Sequence, residues 1–210
     1  MTLEQRLSRG LHALHLELPE AARAKLLDYL RLLEKWNRAY NLTAVRDPDE
    51  MVTRHLLDSL AVAPHLAGPR VLDVGTGAGL PGIPLAIALP ALDFTLLDSN
   101  AKKTRFVTQA AAELGLANVR VVQARAEDFR PAAPFDTVVA RAFASIPDML
   151  AACAHLCAPQ GRLLAMKGKL PESELAALPA GIRLVESLRL AVPGLGAQRH
   201  LVVLAPTHQG

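Results

Sequence analysis

The residues best placed to do chemistry lie in one stretch, Asp73-Val74-Gly75-Thr76-Gly77-Ala78-Gly79-Leu80-Pro81-Gly82. A short apolar run from Arg70 to Val74 stops at the first glycine, and a helical pattern opens at Pro81. A glycine-rich turn in that context can hold a ligand, because missing side chains let a bound molecule approach the backbone. Gly77, Gly79 and Gly82 match G-x-G-x-x-G, so a dinucleotide such as NAD is one candidate. Two details pull elsewhere. Asp73 stands two residues before the first glycine, where its carboxylate can orient the loop or meet an ammonium group but would repel a pyrophosphate. The turn also carries no basic residue. Both favour a ligand that is cationic near the loop, and S-adenosylmethionine brings an amino-acid end and a sulfonium. Asp98 ends the second apolar run. An acid there accepts hydrogen bonds from vicinal ribose hydroxyls, which both cofactors carry. Its other reading is a cap for the helix that begins near Asn100.

These residues need elements to position them. Residues 3–65 read as helices: Leu26, Leu30 and Leu33 recur at helical spacing, with Asp28, Arg31, Glu34 and Arg38 on the opposite face. Asn37 and Asn41 weaken that helix, and Asp47-Pro48 starts the next, with Asp47 as cap. Gly68-Pro69 marks a linker. From Arg70 the pattern changes to short apolar runs at 70–74, 94–97, 119–123, 136–140 and 162–166. These alternate with helical stretches at 81–89, 100–114, 146–157 and 172–178. Gly115 has the position of a helix-terminating glycine. Strands alternating with helices imply a parallel sheet covered on both faces. The last two runs, 183–191 and 201–204, have Pro193-Gly194-Leu195-Gly196 between them and no helix, so they read as a hairpin. The expectation is an α/β fold with a seven-stranded sheet, mostly parallel with one antiparallel strand, behind an N-terminal helical part. Residues 1–66 form the helical extension and 67–210 the sheet domain, packed as one unit.

Composition narrows the classes further. The chain has 210 residues, 51% hydrophobic and 20% charged, which excludes disordered and collagen-like classes. A chain of this length buries a sizeable core without disulfides or metal. Its two cysteines, Cys153 and Cys157, fit a reducing compartment, and cytoplasmic work is expected. The longest apolar run, Ile83 to Leu89, is too short to span a membrane. Glu4 within an amphipathic pattern argues against a signal peptide. The net charge of +3 is only a mild basic bias.

The blocks along the chain then resemble those of the bacterial RsmG family, also called GidB, methyltransferases that act on small-subunit ribosomal RNA. They are Trp36-Asn37 with Asn41-Leu42-Thr43, His55-Leu56-Leu57-Asp58-Ser59-Leu60, the Asp73 to Gly82 turn, and Leu97 to Lys103. Further on come Ala126-Glu127, Arg141-Ala142-Phe143-Ala144-Ser145, Lys167-Gly168 and Arg199-His200-Leu201. Their order and joint presence make the match specific over nearly the whole chain. The resemblance implies a class I S-adenosylmethionine-dependent methyltransferase, Rossmann-like in its sheet. It further implies methyl transfer to N7 of guanine 527 in a loop of 16S RNA, leaving S-adenosylhomocysteine. Carried over by position, cofactor contacts fall on Gly75, Leu80, Ala126, Glu127 and Arg141, with Asp98 alongside; the turn adds Gly77 and Gly79. Arg141, Lys167 and Arg199 would face RNA, with Lys167 and Arg199 on phosphates. Leu80 stands where many relatives have Phe, a change that a backbone contact tolerates. The partner is 16S RNA or a small-subunit particle; no membrane, metal or protein partner is expected. The alternatives kept open are an NAD-dependent oxidoreductase and a non-enzymatic RNA-binding protein with a vestigial cofactor pocket.

Guanine N7 carries an in-plane lone pair, so it needs no deprotonation before it attacks a methyl group, and no general base is required. No catalytic residue is expected beyond those that position the reactants. N7 lies on the major-groove edge, which is deep and narrow in A-form RNA, so the target must be unpaired or splayed out. Other clusters are set aside. Cys153, His155 and Cys157 read as part of an apolar helix and lack further metal ligands. His55, Asp58 and Ser59 lie within five residues on one helix and cannot converge as a triad. His55 and Asp58 read as packing the helical part against the sheet or as lining for the substrate side. Trp36 and Tyr40 can stack on RNA bases, but helical spacing favours core or cap residues; Lys102, Lys103 and Arg105 read equally as a wider basic surface or as a solvated helix face.

Overall fold

The computed structural model describes residues 1–141 and 143–207; Ala142, within one of the blocks quoted above, lies outside them. Seven strands form one sheet: β1 Arg70–Val74, β2 Asp93–Asp98, β3 Val119–Gln123, β4 Phe135–Ala140, β5 Cys157–Lys167, β6 Ile182–Arg189 and β7 His200–Pro206. Their order is β3-β2-β1-β4-β5-β7-β6. All neighbours are parallel except those of β7, which runs antiparallel to both β5 and β6. The expected seven-stranded sheet with one antiparallel strand is therefore present. The closing hairpin inserts its second strand inside the sheet and leaves β6 at the edge.

Helices cover both faces. On one lie α1 Leu3–Ala13, α2 Glu20–Tyr40, α5 Gly82–Ala88 and α6 Ala101–Glu113; α7 Ile146–Cys153 and α8 Glu172–Ala176 lie on the other. Between α2 and β1 the chain is helical without a break from Pro48 to Leu60: α3 Pro48–Met51, a π-helical segment Val52–Leu57, and α4 Asp58–Leu60. Asp47 caps α3 by accepting from the Asp49 amide at 2.9 Å, as its position before Pro48 suggests. The alternation along β1 shows how the layers divide. Val71 joins the core beneath the N-terminal helices, whereas Leu72 and Val74 join the core beneath α7. The first of these cores runs without a break from Leu7, Leu26 and Leu33 to Ile83, Phe94 and Phe106. The N-terminal helices thus share one apolar interior with the sheet. No described helix is long and apolar enough to cross a membrane.

One stretch differs from the sequence reading. The helix expected over 146–157 ends at Cys153 and gives one 3₁₀ turn, Ala154–Leu156; Cys157 then begins β5, five residues before the expected start at Arg162. Cys157 pairs with Phe135, and the register shifts before Thr137 pairs with Arg162. Pro159 and Gly161 lie in that irregular stretch, where a regular ladder has the least hold. Cys153 and Cys157 are therefore not on one helix face. Both are buried in the α7-side core, as free thiols that burial pushes up to about 12.

Candidate active site

Strand register alone gathers the expected residues at one edge of the sheet. Val74 pairs with Leu97 on one side and Ala140 on the other, so Gly75, Asp98 and Arg141 leave three neighbouring strands at the same level. Asp98 in turn pairs with Gln123, which brings Ala126 and Glu127 to that edge. Ala140 pairs with Ala165 and Lys167 with His200, adding Lys167 and Arg199. The sheet order reverses direction between β1 and β4, and the crevice outside the strand ends at such a point is where open α/β sheets bind ligands.

The glycine turn is tied down from inside. Asp73 is fully buried; its Oδ2 accepts from the Thr76 hydroxyl at 2.6 Å and the Gly82 amide at 2.8 Å, while its Oδ1 is buried without a partner. Burial raises its carboxyl to about 6, against the pull of those two bonds and of Arg141. Of the two roles open to Asp73, orienting the loop is the one its hydrogen bonds perform. The amides of Gly75 and Thr76 donate to the Leu97 carbonyl at 2.8 and 3.0 Å. Asp98 bridges two loops: Oδ2 accepts from the Gly77 amide at 2.9 Å, Oδ1 from the Asn100 amide at 2.8 Å. The cap of α6 is Asn100, whose Oδ1 accepts from the Lys102 amide. Each Asp98 oxygen keeps a second lone pair.

The glycines divide into two kinds. A Cβ on Gly75 would meet nothing within 4 Å, and one on Gly77 only the Gly75 carbonyl at 3.9 Å. At Gly79 it would strike Ile83 at 2.6 Å, and at Gly82 it would strike Leu96 at 2.1 Å and Asp73 at 2.7 Å. Gly75 and Gly77 thus leave space above the turn, while Gly79 and Gly82 let α5 pack against β1 and β2. Gly75, Asp98, Ser99, Ala126, Glu127 and Phe143 line a cavity of about 190 Å³ there. Leu80 has its side chain in the core, 3% exposed, and its amide on the Thr76 carbonyl.

Two further cavities continue from it. One, about 410 Å³, shares Phe143 and adds Arg141, Met166, Lys167 and Arg199; the other, about 450 Å³, shares Arg141 and Arg199 and adds Val45, Arg54 and His55. The three expected cations are therefore together, but they are not equally free. Lys167 Nζ donates to the carbonyls of Phe143 at 3.2 Å and Ala144 at 2.9 Å, and its side chain is 11% exposed. Two of its three N–H groups hold the segment that walls the first cavity. Arg199 donates through Nε and Nη2 to both oxygens of Asp58, at 2.6 and 3.1 Å, and Arg141 Nη1 lies 3.5 Å from Asp58 Oδ2.

Sequence reasoning left three contributors without these roles. Phe143 joins the first two cavities; its only signal is an aromatic side chain among small residues just past β4. Tyr29, fully buried on α2, donates its hydroxyl to the Ala78 carbonyl in the glycine turn at 2.7 Å. Asp58 is fully buried yet joined to two arginines far along the chain. His55 does not pair with Asp58 or Ser59; its Nε2 meets Thr43 Oγ1 at 3.0 Å, and burial, helped by Arg141, lowers it to about 4. Trp36 stacks on Tyr40 and packs against Phe106. Lys102 and Arg105 are exposed and Lys103 is half-buried. No cluster of three metal-ligating side chains occurs among the described residues.

Residues 22–202 match the family model described as rRNA small subunit methyltransferase G. The Ribosomal RNA small subunit methyltransferase G of Nitrosococcus oceani is 56% identical over 207 residues, 99% of this chain and 97% of that protein. The protein of the same name from Alkalilimnicola ehrlichii is 58% identical over 196 residues, 93% of this chain and 89% of that one. Among solved structures, the O-methyltransferase TomG of Streptomyces achromogenes, in complex with S-adenosylmethionine, superposes with a TM-score of 0.59 at 19% identity, over 99% of this chain and 100% of that one. The glycopeptide N-methyltransferase MtfA, complexed with S-adenosylhomocysteine, gives a TM-score of 0.62 at 14% identity over 73% and 87%. At such identities the likeness is one of fold.

Proposed function

This chain belongs to the rRNA small subunit methyltransferase G family, and from that premise we propose that it transfers a methyl group from S-adenosylmethionine to N7 of guanine 527 in 16S ribosomal RNA. The observation that carries the reading is the adjacency of two unlike spaces at one sheet edge. A hollow lined by Gly75, where a Cβ would meet nothing, adjoins through Phe143 a cavity edged by Arg141, Lys167 and Arg199.

The residues of the hollow fit a sulfonium donor. Its lining includes two acidic residues, Asp98 and Glu127, and one basic residue, Arg125. Asp98 keeps an acceptor lone pair on each oxygen for ribose hydroxyls, and Gly75 gives backbone access. When bound, the donor supplies an electrophilic methyl group. The chain does the rest by placement. The turn fixed by Asp73 and Asp98 orients the donor, and Arg141 and Arg199 bind phosphate or the guanine edge. Holding reactants in line can be worth roughly 7–11 kcal/mol of barrier. Proton transfer is not needed at N7, and the nearby titratable groups suit that. His55 is neutral at pH 7 with its Nε2 committed to Thr43, and both thiols are protonated in the core.

The test is transfer of labelled methyl from S-adenosylmethionine to unmethylated 16S RNA, followed by mass mapping of the product. Label on N7 of guanine 527 is expected. Label on another base or on ribose would refute the position, and tight NAD binding with no response to the methyl donor would refute the reaction.

A further inference from the structure

Arg141 and Arg199 leave strands that are two apart in the sheet, with β5 between them, so their backbones are separated by roughly 10 Å. Two like charges have no reason to converge from there unless an anion draws them in. That anion is Asp58. It is contributed by α4, at the end of the helical stretch after α2, and its side chain is 1% exposed. Its two oxygens take a side-on fork from Arg199, and Oδ2 also faces Arg141. Arg141 is held a second time from the same stretch, by Nη1 donating to the Arg54 carbonyl of the π-helical segment at 3.3 Å. We infer that Asp58 is a positioning residue for the RNA: it sets the planes of Arg199 and Arg141 so that their remaining N–H groups point into the substrate cleft.

Three features support this beyond packing. The side chains of the arginines are 22% and 25% exposed, so each is buried on the Asp58 side and open on the other. Both line the cavities of about 410 and 450 Å³, and Asp58 itself lines the second. A side-on fork uses Nε and one Nη of Arg199 and fixes the guanidinium plane, which leaves a preset row of donors for a phosphate or for guanine O6. One carboxylate against two guanidiniums also leaves the cluster cationic. The inference rests on the proposed RNA substrate and gives the N-terminal helical layer a defined part in the site.

The test uses the full-length protein with Asp58→Asn, Asp58→Glu, Arg199→Gln and the Asp58→Asn/Arg199→Gln double variant. Asp58→Asn is expected to raise the KM for 16S RNA at least tenfold and leave the Kd for S-adenosylmethionine within twofold. Asp58→Glu should recover part of the loss. The loss in the double variant should fall well short of the product of the two single losses, because Asp58 acts in part through Arg199 and in part through Arg141. A folded Asp58→Asn with an unchanged RNA KM, or single effects that multiply in the double variant, would overturn the inference. If Asp58→Asn does not fold, Arg199→Lys decides. It keeps the charge and loses the fork, so a raised RNA KM supports the inference and an unchanged one overturns it. RNA binding measured without the methyl donor separates these outcomes from failure of the methyl-transfer reading itself.

Discussion

Replacing Asp73 by asparagine and, separately, His55 by glutamine should expose two opposed pH dependences that overlap in one window. Asp73 is completely buried and its carboxyl is raised from 3.8 to about 6, chiefly by desolvation. The folded protein therefore holds a proton there that the unfolded chain has released between those values. Its contribution to stability is complete below about pH 4 and is lost as pH rises through 6. His55, 4% exposed, is lowered from 6.5 to about 4, chiefly by desolvation and then by Arg141. Here the unfolded chain holds the extra proton, so the contribution is complete above pH 6.5 and is lost as pH falls through 4. At 1.36 kcal/mol for each tenfold change in proton affinity, either effect is on the order of 3 kcal/mol. In the wild type the two nearly cancel, so urea midpoints should change little between pH 4 and 6.5 on their account. Asp73→Asn should leave stability rising with pH across that window, and His55→Gln should leave it falling. The measurement is a urea titration of each variant at half-unit pH steps, with the m value checked for constancy. Slopes of the same sign in the two variants would refute the burial argument for at least one of the groups.

The two kinds of glycine should separate in experiment. Gly82→Ala places a methyl against the Asp73 carboxylate and Leu96 and should cost about 1–3 kcal/mol or more in thermal stability. Gly75→Ala meets no atom but stands at φ +68, so it should cost only about 1–2 kcal/mol while weakening S-adenosylmethionine at least tenfold by calorimetry. Unchanged donor affinity would move the donor site elsewhere. Lys167→Met should weaken donor binding severalfold, because its two bonds hold the Phe143–Ala144 wall. Arg199→Ala should instead lower the salt slope of RNA binding by about one; the reverse pattern would exchange their roles. Tyr29→Phe leaves the Ala78 carbonyl without that partner and should cost about 1–3 kcal/mol, read by urea denaturation, with a loss of donor affinity.

How much of this was legible follows from the range of each signal. The glycine turn, Asp98 and the strand ends at Asp98, Gln123 and Ala140 are local patterns, and the structure has them where apolar runs meet glycine or a polar residue. Parallel register then carries them to one edge, so the expected site residues converge without further information. The misplaced start of β5 came from an apolar stretch, Met149 to Cys157, whose period suits a helix while Pro159 and Gly161 blur the strand that follows. Long-range pairing was out of reach. Asp58 and Arg199 are 141 positions apart, and no periodicity links them. A buried Asp on an apolar helix face was the one visible sign, because such a charge requires a partner from somewhere.

The long-range bonds made by Tyr29, Arg54 and Asp58 share a direction, and that constrains how the site works. Tyr29 holds the glycine turn at Ala78; Asp58 and the Arg54 carbonyl hold Arg141, and Asp58 holds Arg199. Asn37 closes the loop after α2 by donating to the Thr43 carbonyl and accepting from its amide, and Thr43 in turn meets His55. Each contact runs from the N-terminal helical layer to a loop at the working edge of the sheet, or braces the segment that does so. Loops at a strand edge are the parts of such a fold with fewest partners of their own. The helical layer supplies those partners on both sides of the crevice, at the donor hollow through Tyr29 and at the cation cluster through Asp58. A shift of that layer would therefore act on donor and RNA together, whereas a change confined to either loop would act on one.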